Sequence, residues 1–123
     1  MVNDTRRIYG TVRDIPVEEL VEAFGCLDQI RGAVLFGSRA CQKAPASGSR
    51  SDYDFGVVLD KTVPCDWGHL ASARVAIGQK LQLPDIDFDV VDLEIASTEL
   101  KKSIREKFMM LKGDRNVILR LLG

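Results

Sequence analysis

The sequence has little of what builds covalent frameworks or thiolate metal sites. It contains three cysteines, one histidine and one tryptophan in 123 residues. The cysteines, Cys26, Cys41 and Cys65, are odd in number and form no Cys-x-x-Cys pair, so neither a disulfide framework nor a thiolate metal site is indicated. This cysteine usage fits a reducing compartment, and the expected location is the cytoplasm.

Long apolar runs and an excess of one charge are also lacking. No apolar run approaches the roughly 20 residues that cross a bilayer. The polar start, Met1–Arg7, is not followed by the apolar core of a signal peptide. Seventeen basic residues nearly cancel eighteen acidic ones, for a formal net charge of -1. Membrane association is therefore not expected, and the overall charge does not indicate a nucleic-acid partner.

The composition is that of a folded protein with one core. At 46% hydrophobic and 28% charged residues, the chain can bury an interior, and 123 residues leave no room for two full cores. We expect a single domain over 1–123. Residues 1–13 are predicted to be an N-terminal extension or a short irregular start. The apolar tail at 116–123 is predicted to be a final strand, a short helix or a partner contact.

Hydrophobic periodicity predicts a small mixed β-sheet flanked by helices, an α/β (α+β) fold. Three- and four-residue steps from Val17 to Ile30 predict a helix that Asp14 could cap and Pro16 could begin. Apolar runs predict strands at Ala33–Phe36, Tyr53–Leu59 and Ile86–Leu93. Further helices are expected at Leu70–Leu81 and from a Ser97 cap to a stop at Gly113, with a helical turn and loop at 41–50.

Two acidic residues begin the second predicted strand. Asp52 and Asp54 are separated by one residue, so their side chains point to the same face. A third carboxylate on the next strand would complete a cluster, and both Asp87 and Asp89 lie on the suitable face; Asp92 and the unused member of that pair would be solvated or strand-end acids. Clustered like charges repel unless a cation lies between them, and oxygen ligands favour Mg2+.

A Gly-Ser turn follows the first predicted strand. Gly37 would let the backbone approach a bulky anion, and Ser38 would add a hydroxyl beside backbone N–H groups that can hold phosphate. A metal held by carboxylates and facing a phosphate cradle suits in-line phosphoryl or nucleotidyl transfer.

Together these motifs resemble a known family. Gly37-Ser38, thirteen intervening residues and then Asp52-Tyr53-Asp54 resemble the signature of nucleotidyltransferases related to DNA polymerase beta. The small size and the run Phe88-Asp89-Val90-Val91-Asp92-Leu93 are most similar to the minimal nucleotidyltransferases, or MNT domains, usually encoded beside HEPN-domain proteins. The resemblance covers roughly residues 33 to 113, and Ser97 to Gly113 is similar to the family's helix ending in a glycine turn.

The resemblance implies both a site and a role. Asp52, Asp54 and Asp89 would bind two Mg2+ ions, with Asp89 favoured over Asp87 and also expected to act as general base. Gly37 and Ser38 would hold the phosphates of ATP, and Ser51 would face the triphosphate.

MNT proteins commonly act as antitoxins that transfer AMP from ATP to a tyrosine of a HEPN ribonuclease toxin. That protein adenylyltransferase activity, with the HEPN toxin as partner in a hetero-oligomer, is the expected function. The alternatives are a catalytically silent antitoxin that neutralises its partner by docking alone, and a nucleotidyltransferase acting on a small molecule such as an aminoglycoside.

Overall fold

A four-stranded mixed sheet with four helices forms the core of the computed structural model, which describes residues 12–40 and 52–123. The helices are α1 (Val17–Gly25), α2 (His69–Leu81), α3 (Thr98–Glu106) and α4 (Arg115–Leu122). The strands are β1 (Ile30–Phe36), β2 (Tyr53–Leu59), β3 (Phe88–Asp92) and β4 (Phe108–Lys112). Short 3-10 turns occupy Gly37–Ala40 and Asp85–Asp87. The predicted α+β fold is confirmed.

Strand order brings three chain segments to one edge of the sheet. The order is β3-β2-β1-β4, with β1 antiparallel to both β2 and β4, and β2 parallel to β3. A parallel pair needs a crossover connection, and α2 lies in the segment that supplies it. The starts of β2 and β3 therefore lie beside the end of β1, where Phe36 pairs with Asp54.

Each face of the sheet is buried by one pair of helices. On one face, α1 and α2 pack against β2, and the rings of Phe24 and Phe55 meet edge-on with centroids 5.0 Å apart. On the other face, Ile104 of α3 and Ile118 of α4 pack with Val34 of β1. Side-chain alternation along β2 turns Phe55 to the first face and leaves Asp54 on the second.

The first helix is shorter than predicted. It ends at Gly25, and Ile30 already begins β1, because the chain turns between them. Pro16 rather than Asp14 is the N-cap residue, and no side chain of residues 12–40 or 52–123 caps this helix; Asp14 instead pairs with Arg39, with Oδ1 2.6 Å from Nη1. Only part of the predicted stripe is buried, since Val17 and Val21 are exposed.

The predicted helix from Ser97 to Gly113 is right in its first half and wrong in its second. Ser97 caps α3, its Oγ accepting a hydrogen bond from the Leu100 amide at 3.1 Å. The helix ends at Glu106, and Phe108–Lys112 pairs with β1 instead. Without β4, the edge of β1 would carry a row of unpaired backbone N–H and C=O groups. Gly113 ends β4 rather than the helix.

The third strand is also shorter than predicted. Residues 86 and 87 belong to the 3-10 turn, in which the Asp87 amide donates to the Pro84 carbonyl at 2.9 Å. Ile86 is consequently 78% exposed and does not share the buried face of Phe88.

Both predicted terminal segments contribute to the folded unit where they are described. Val12 is buried, and Arg13 Nη2 donates to the Leu81 carbonyl at 2.6 Å. The apolar tail lies in α4, in agreement with the short-helix alternative, and Ile118 and Leu122 are the buried residues of this helix. Within 12–40 and 52–123, no helix has the length and hydrophobicity needed to span a membrane.

Candidate active site

The paired starts of β2 and β3 bring two of the predicted site acids together. Asp54 is the second residue of β2 and lies in register with Asp89, the second residue of β3. Neighbouring strands lie about 4.7–4.9 Å apart, so the two carboxylates project side by side from one face. Asp52 lies just before β2 and is exposed.

The three acids share one electrostatic environment. The pKa of the Asp54 carboxyl is raised above its ordinary value, first by burial and then by the negative charges of Asp89 and Asp52. Uncompensated charge of this kind is what a bound cation relieves. The donors are all carboxylate oxygens, the ligands that Mg2+ prefers. The donor set therefore fits a hard divalent cation.

The ligand shell is not closed, however. Among residues 12–40 and 52–123, no three acidic, histidine or cysteine side chains are close enough together to hold a metal ion as they stand. One carboxylate oxygen of Asp89 is already hydrogen-bonded, because Oδ1 accepts from Arg74 Nη1 at 3.1 Å and from the Val90 amide at 3.0 Å. Metal binding by the three acids would require their carboxylates to come closer together.

The Gly-Ser turn passes directly over Asp54. Gly37 has a φ of +76°, and a Cβ atom placed on it would lie 3.2 Å from Asp54 Cγ and still closer to Oδ2. Only glycine tolerates both the left-handed backbone and this approach without strain. Ser38 follows in the same turn and is exposed. The turn and the acidic pair, separated by thirteen intervening residues in the sequence, therefore form one site. Ser51 lies outside the described residues.

Asp87, the alternative third acid, is placed differently. It lies in the turn before β3 and is 6% exposed, and the residue opposite Asp54 is Asp89. Asp92 ends β3 as expected, but it is buried rather than solvated, with Lys61 Nζ 2.9 Å from its Oδ2.

The residue between the two acids is an anchor that sequence reasoning missed. The Tyr53 hydroxyl accepts a hydrogen bond from the Ile15 amide at 2.8 Å and donates one to the Arg13 carbonyl at 3.1 Å. Burial raises the pKa of Tyr53. The Arg39 guanidinium lies 4.5 Å from the centre of the tyrosine ring and ties the Gly-Ser turn to the same anchor. Strand alternation was the available signal, since a residue between two solvent-facing acids must point inward.

Arg74 was also missed. It lies on α2, fifteen residues before Asp89, and nothing in the spacing of the sequence connects the two. Their contact depends on how the crossover helix packs beside the parallel strand that follows it.

Comparison with known proteins gives a family and several similar structures. A family model described as "Polymerase beta, Nucleotidyltransferase" matches residues 18–115. No curated protein sequence matches the chain.

The similar solved structures include chains of toxin-antitoxin complexes. One, a toxin-antitoxin with AMP-PNP, is 19% identical with a TM-score of 0.61, covering 88% of this chain and 82% of that one. Another, a mutant of the toxin-antitoxin MntA-HpeT, is 25% identical with a TM-score of 0.59, covering 89% and 81%. A third is a tri-AMPylated Shewanella oneidensis HEPN toxin in complex with an MNT antitoxin, 19% identical with a TM-score of 0.56, covering 86% and 76%.

Proposed function

We propose, from the premise that the chain belongs to the polymerase beta nucleotidyltransferase family, that it transfers AMP from ATP to a hydroxyl group of a HEPN toxin. The acceptor is a tyrosine, the transfer silences the toxin, and the protein acts in the cytoplasm as the toxin's antitoxin. The observation that carries this proposal is the convergence at one sheet edge of Asp54, Asp89 and the Gly37 turn.

Each site residue has a role in this reaction. Asp52, Asp54 and Asp89 would hold two Mg2+ ions, which would supply charge neutralisation at the phosphates. Gly37 and Ser38 would hold the phosphates of ATP, because Gly37 lets the turn pass close over Asp54 and Ser38 offers a hydroxyl there. Ser51 is proposed to face the triphosphate.

The group transfer balances as follows. The acceptor hydroxyl oxygen forms a bond to the α-phosphorus of ATP while the bond from that phosphorus to the β-phosphate bridging oxygen breaks. Pyrophosphate leaves with the electron pair of the broken bond. The hydroxyl proton passes to the Asp89 carboxylate, which acts as general base.

Support for a toxin partner comes from the similar structures. Each of the three is described as a toxin-antitoxin or toxin and antitoxin complex, and one contains an AMPylated HEPN toxin. The match extends over most of this chain. The extent of the match is therefore compatible with an antitoxin role for this chain.

The test is AMP transfer to the HEPN protein encoded beside this chain. Wild-type protein, Mg2+ and ATP labelled on the α-phosphate should label that partner, and mass spectrometry should place the label on a tyrosine. Asp54→Asn should abolish labelling while leaving the complex intact on size-exclusion chromatography. Asp66→Asn, which removes an exposed acid outside the site, should label the partner at the wild-type rate.

The open ligand shell also favours a second candidate, neutralisation by docking alone. On this reading Asp54→Asn would still suppress toxin activity in cells. Absence of label on a partner that is demonstrably bound would overturn AMP transfer and leave docking in its place. Labelling of an aminoglycoside but not of the partner would instead point to a small-molecule enzyme.

A further inference from the structure

Arg74 joins the third acid of the site to the turn that precedes it. Its Nη1 donates to Asp89 Oδ1 at 3.1 Å, and its Nη2 donates to the carbonyls of Asp85 and Phe88, each at 3.1 Å. The guanidinium carbon lies 5.0 Å from the centre of the Phe88 ring. One side chain from α2 therefore fixes both ends of the segment that enters β3.

These contacts leave Arg74 poorly suited to bind a substrate phosphate itself. A guanidinium presents its N–H donors in one rigid plane, and Arg74 makes three hydrogen bonds to oxygen atoms of the protein itself. Phe88 lies against one face of that plane. The arrangement is that of a group that orients a neighbour.

The neighbour that gains most is Asp89. Its side chain is 66% exposed, so without a partner it would exchange among rotamers. Arg74 and the Val90 amide both donate to Oδ1, and no hydrogen bond to Oδ2 is made by the part of the chain described here. Oδ1 is thereby occupied, and Oδ2 is the oxygen that stays available.

We propose that Arg74 is a positioning residue that holds Asp89 Oδ1, so that Oδ2 is presented to the cation and to the acceptor proton. This inference rests on the proposed function, because it assigns an orienting partner to the acid that acts there as ligand and base. An ion pair between partly exposed side chains contributes little to stability, so its loss should affect the site more than the fold. Partners that orient metal-binding residues typically matter 10–100-fold in affinity or activity.

The first measurement is the side-chain conformation of Asp89 in solution. Three-bond NMR couplings to its β protons should report one χ1 rotamer in the wild type and averaging in Arg74→Ala. Lys61→Ala is the matched control, since it removes an ion pair to Asp92 at the other end of β3. The control should leave Asp89 in one rotamer. A single Asp89 rotamer in Arg74→Ala overturns the inference, whether or not the protein transfers AMP.

The second measurement separates positioning from substrate binding. In the AMP-transfer assay, Arg74→Ala should lower kcat about 10–100-fold with the KM for ATP nearly unchanged. Arg74→Lys keeps the positive charge but loses the planar, multi-donor guanidinium, so its kcat should lie between those of Arg74→Ala and the wild type. Melting temperatures of Arg74→Ala and Lys61→Ala should be similar. An unchanged kcat, or a raised KM for ATP with unchanged kcat, overturns the inference.

Mn2+ binding gives a result that does not depend on an acceptor. Removing a positive charge beside the site would strengthen cation binding if charge alone mattered, whereas loss of orientation would weaken it. Isothermal titration with Mn2+ should therefore show about 10–100-fold weaker binding to Arg74→Ala than to wild type. Unchanged or stronger binding, or no binding by the wild type, overturns the inference. Absence of AMP transfer by a wild type that binds Mn2+ would overturn only the proposed function.

Discussion

Gly37→Ala should damage catalysis through Asp54. The new Cβ would lie 3.2 Å from Asp54 Cγ and still closer to Oδ2, so the carboxylate or the turn must shift. The φ of +76° adds backbone strain of about 1–2 kcal/mol for alanine, and the forced contact adds about 1–3 kcal/mol. A misplacement of about 1 Å in a catalytic site can lower the rate about 100-fold. We expect a loss of that order in AMP transfer.

Two other glycines provide matched controls. Gly68 has a φ of +99°, but no atom of the described residues would lie within 4 Å of a Cβ placed on it, so Gly68→Ala carries backbone strain without a contact. Gly25 has neither feature. Thermal melts should show that Gly37→Ala and Gly68→Ala are both destabilised and Gly25→Ala is not. Transfer rates, measured where all variants are folded, should fall only for Gly37→Ala. Full activity of Gly37→Ala, or an equal loss in Gly68→Ala, would refute the argument.

Three further predictions concern stability, each measured by urea denaturation. Because the pKa of Asp54 is raised in the folded state, the folded protein retains a proton that the unfolded chain releases, and the free energy of unfolding should fall as pH rises through the pH range in which carboxyl groups titrate. Asp54→Asn should remove that part of the pH dependence. An unchanged dependence of the unfolding free energy on pH in this variant would contradict the prediction. Tyr53→Phe leaves the buried Ile15 amide without its acceptor and should cost about 1–3 kcal/mol; a neutral effect would argue against the anchor. Ile118→Ala should cost about 2–5 kcal/mol, against at most about 0.5 kcal/mol for the exposed Val117→Ala, and equal costs would argue against a buried α4.

The sequence carried the site motifs because their geometry is local. Alternation in β2 puts Asp54 on the face opposite Phe55, and a glycine followed by serine after an apolar run predicts a turn. Both features are present in the structure. The partner of Asp54 needed one more fact, the parallel pairing of β2 and β3, which local pattern did not supply. The resemblance to a family favoured Asp89 without giving that pairing. Asp87 and Asp89 remained alternatives until the start of β3 was known.

The sequence did not predict the correct element where the choice between helix and strand depended on partners distant in the chain. Residues 108–112 have the composition of either element, and the helical stripe through Leu111 is a valid local reading; pairing with the free edge of β1 decides for a strand.

Arg74 belongs to the same class of residue. On α2 it is one of two charged residues, with Lys80, and it acquires a role only because the parallel crossover places it beside the beginning of β3. The ligands of such a site can be found from spacing, since they lie on strands whose period is fixed. The groups that orient those ligands come from other elements, so only the tertiary packing identifies them.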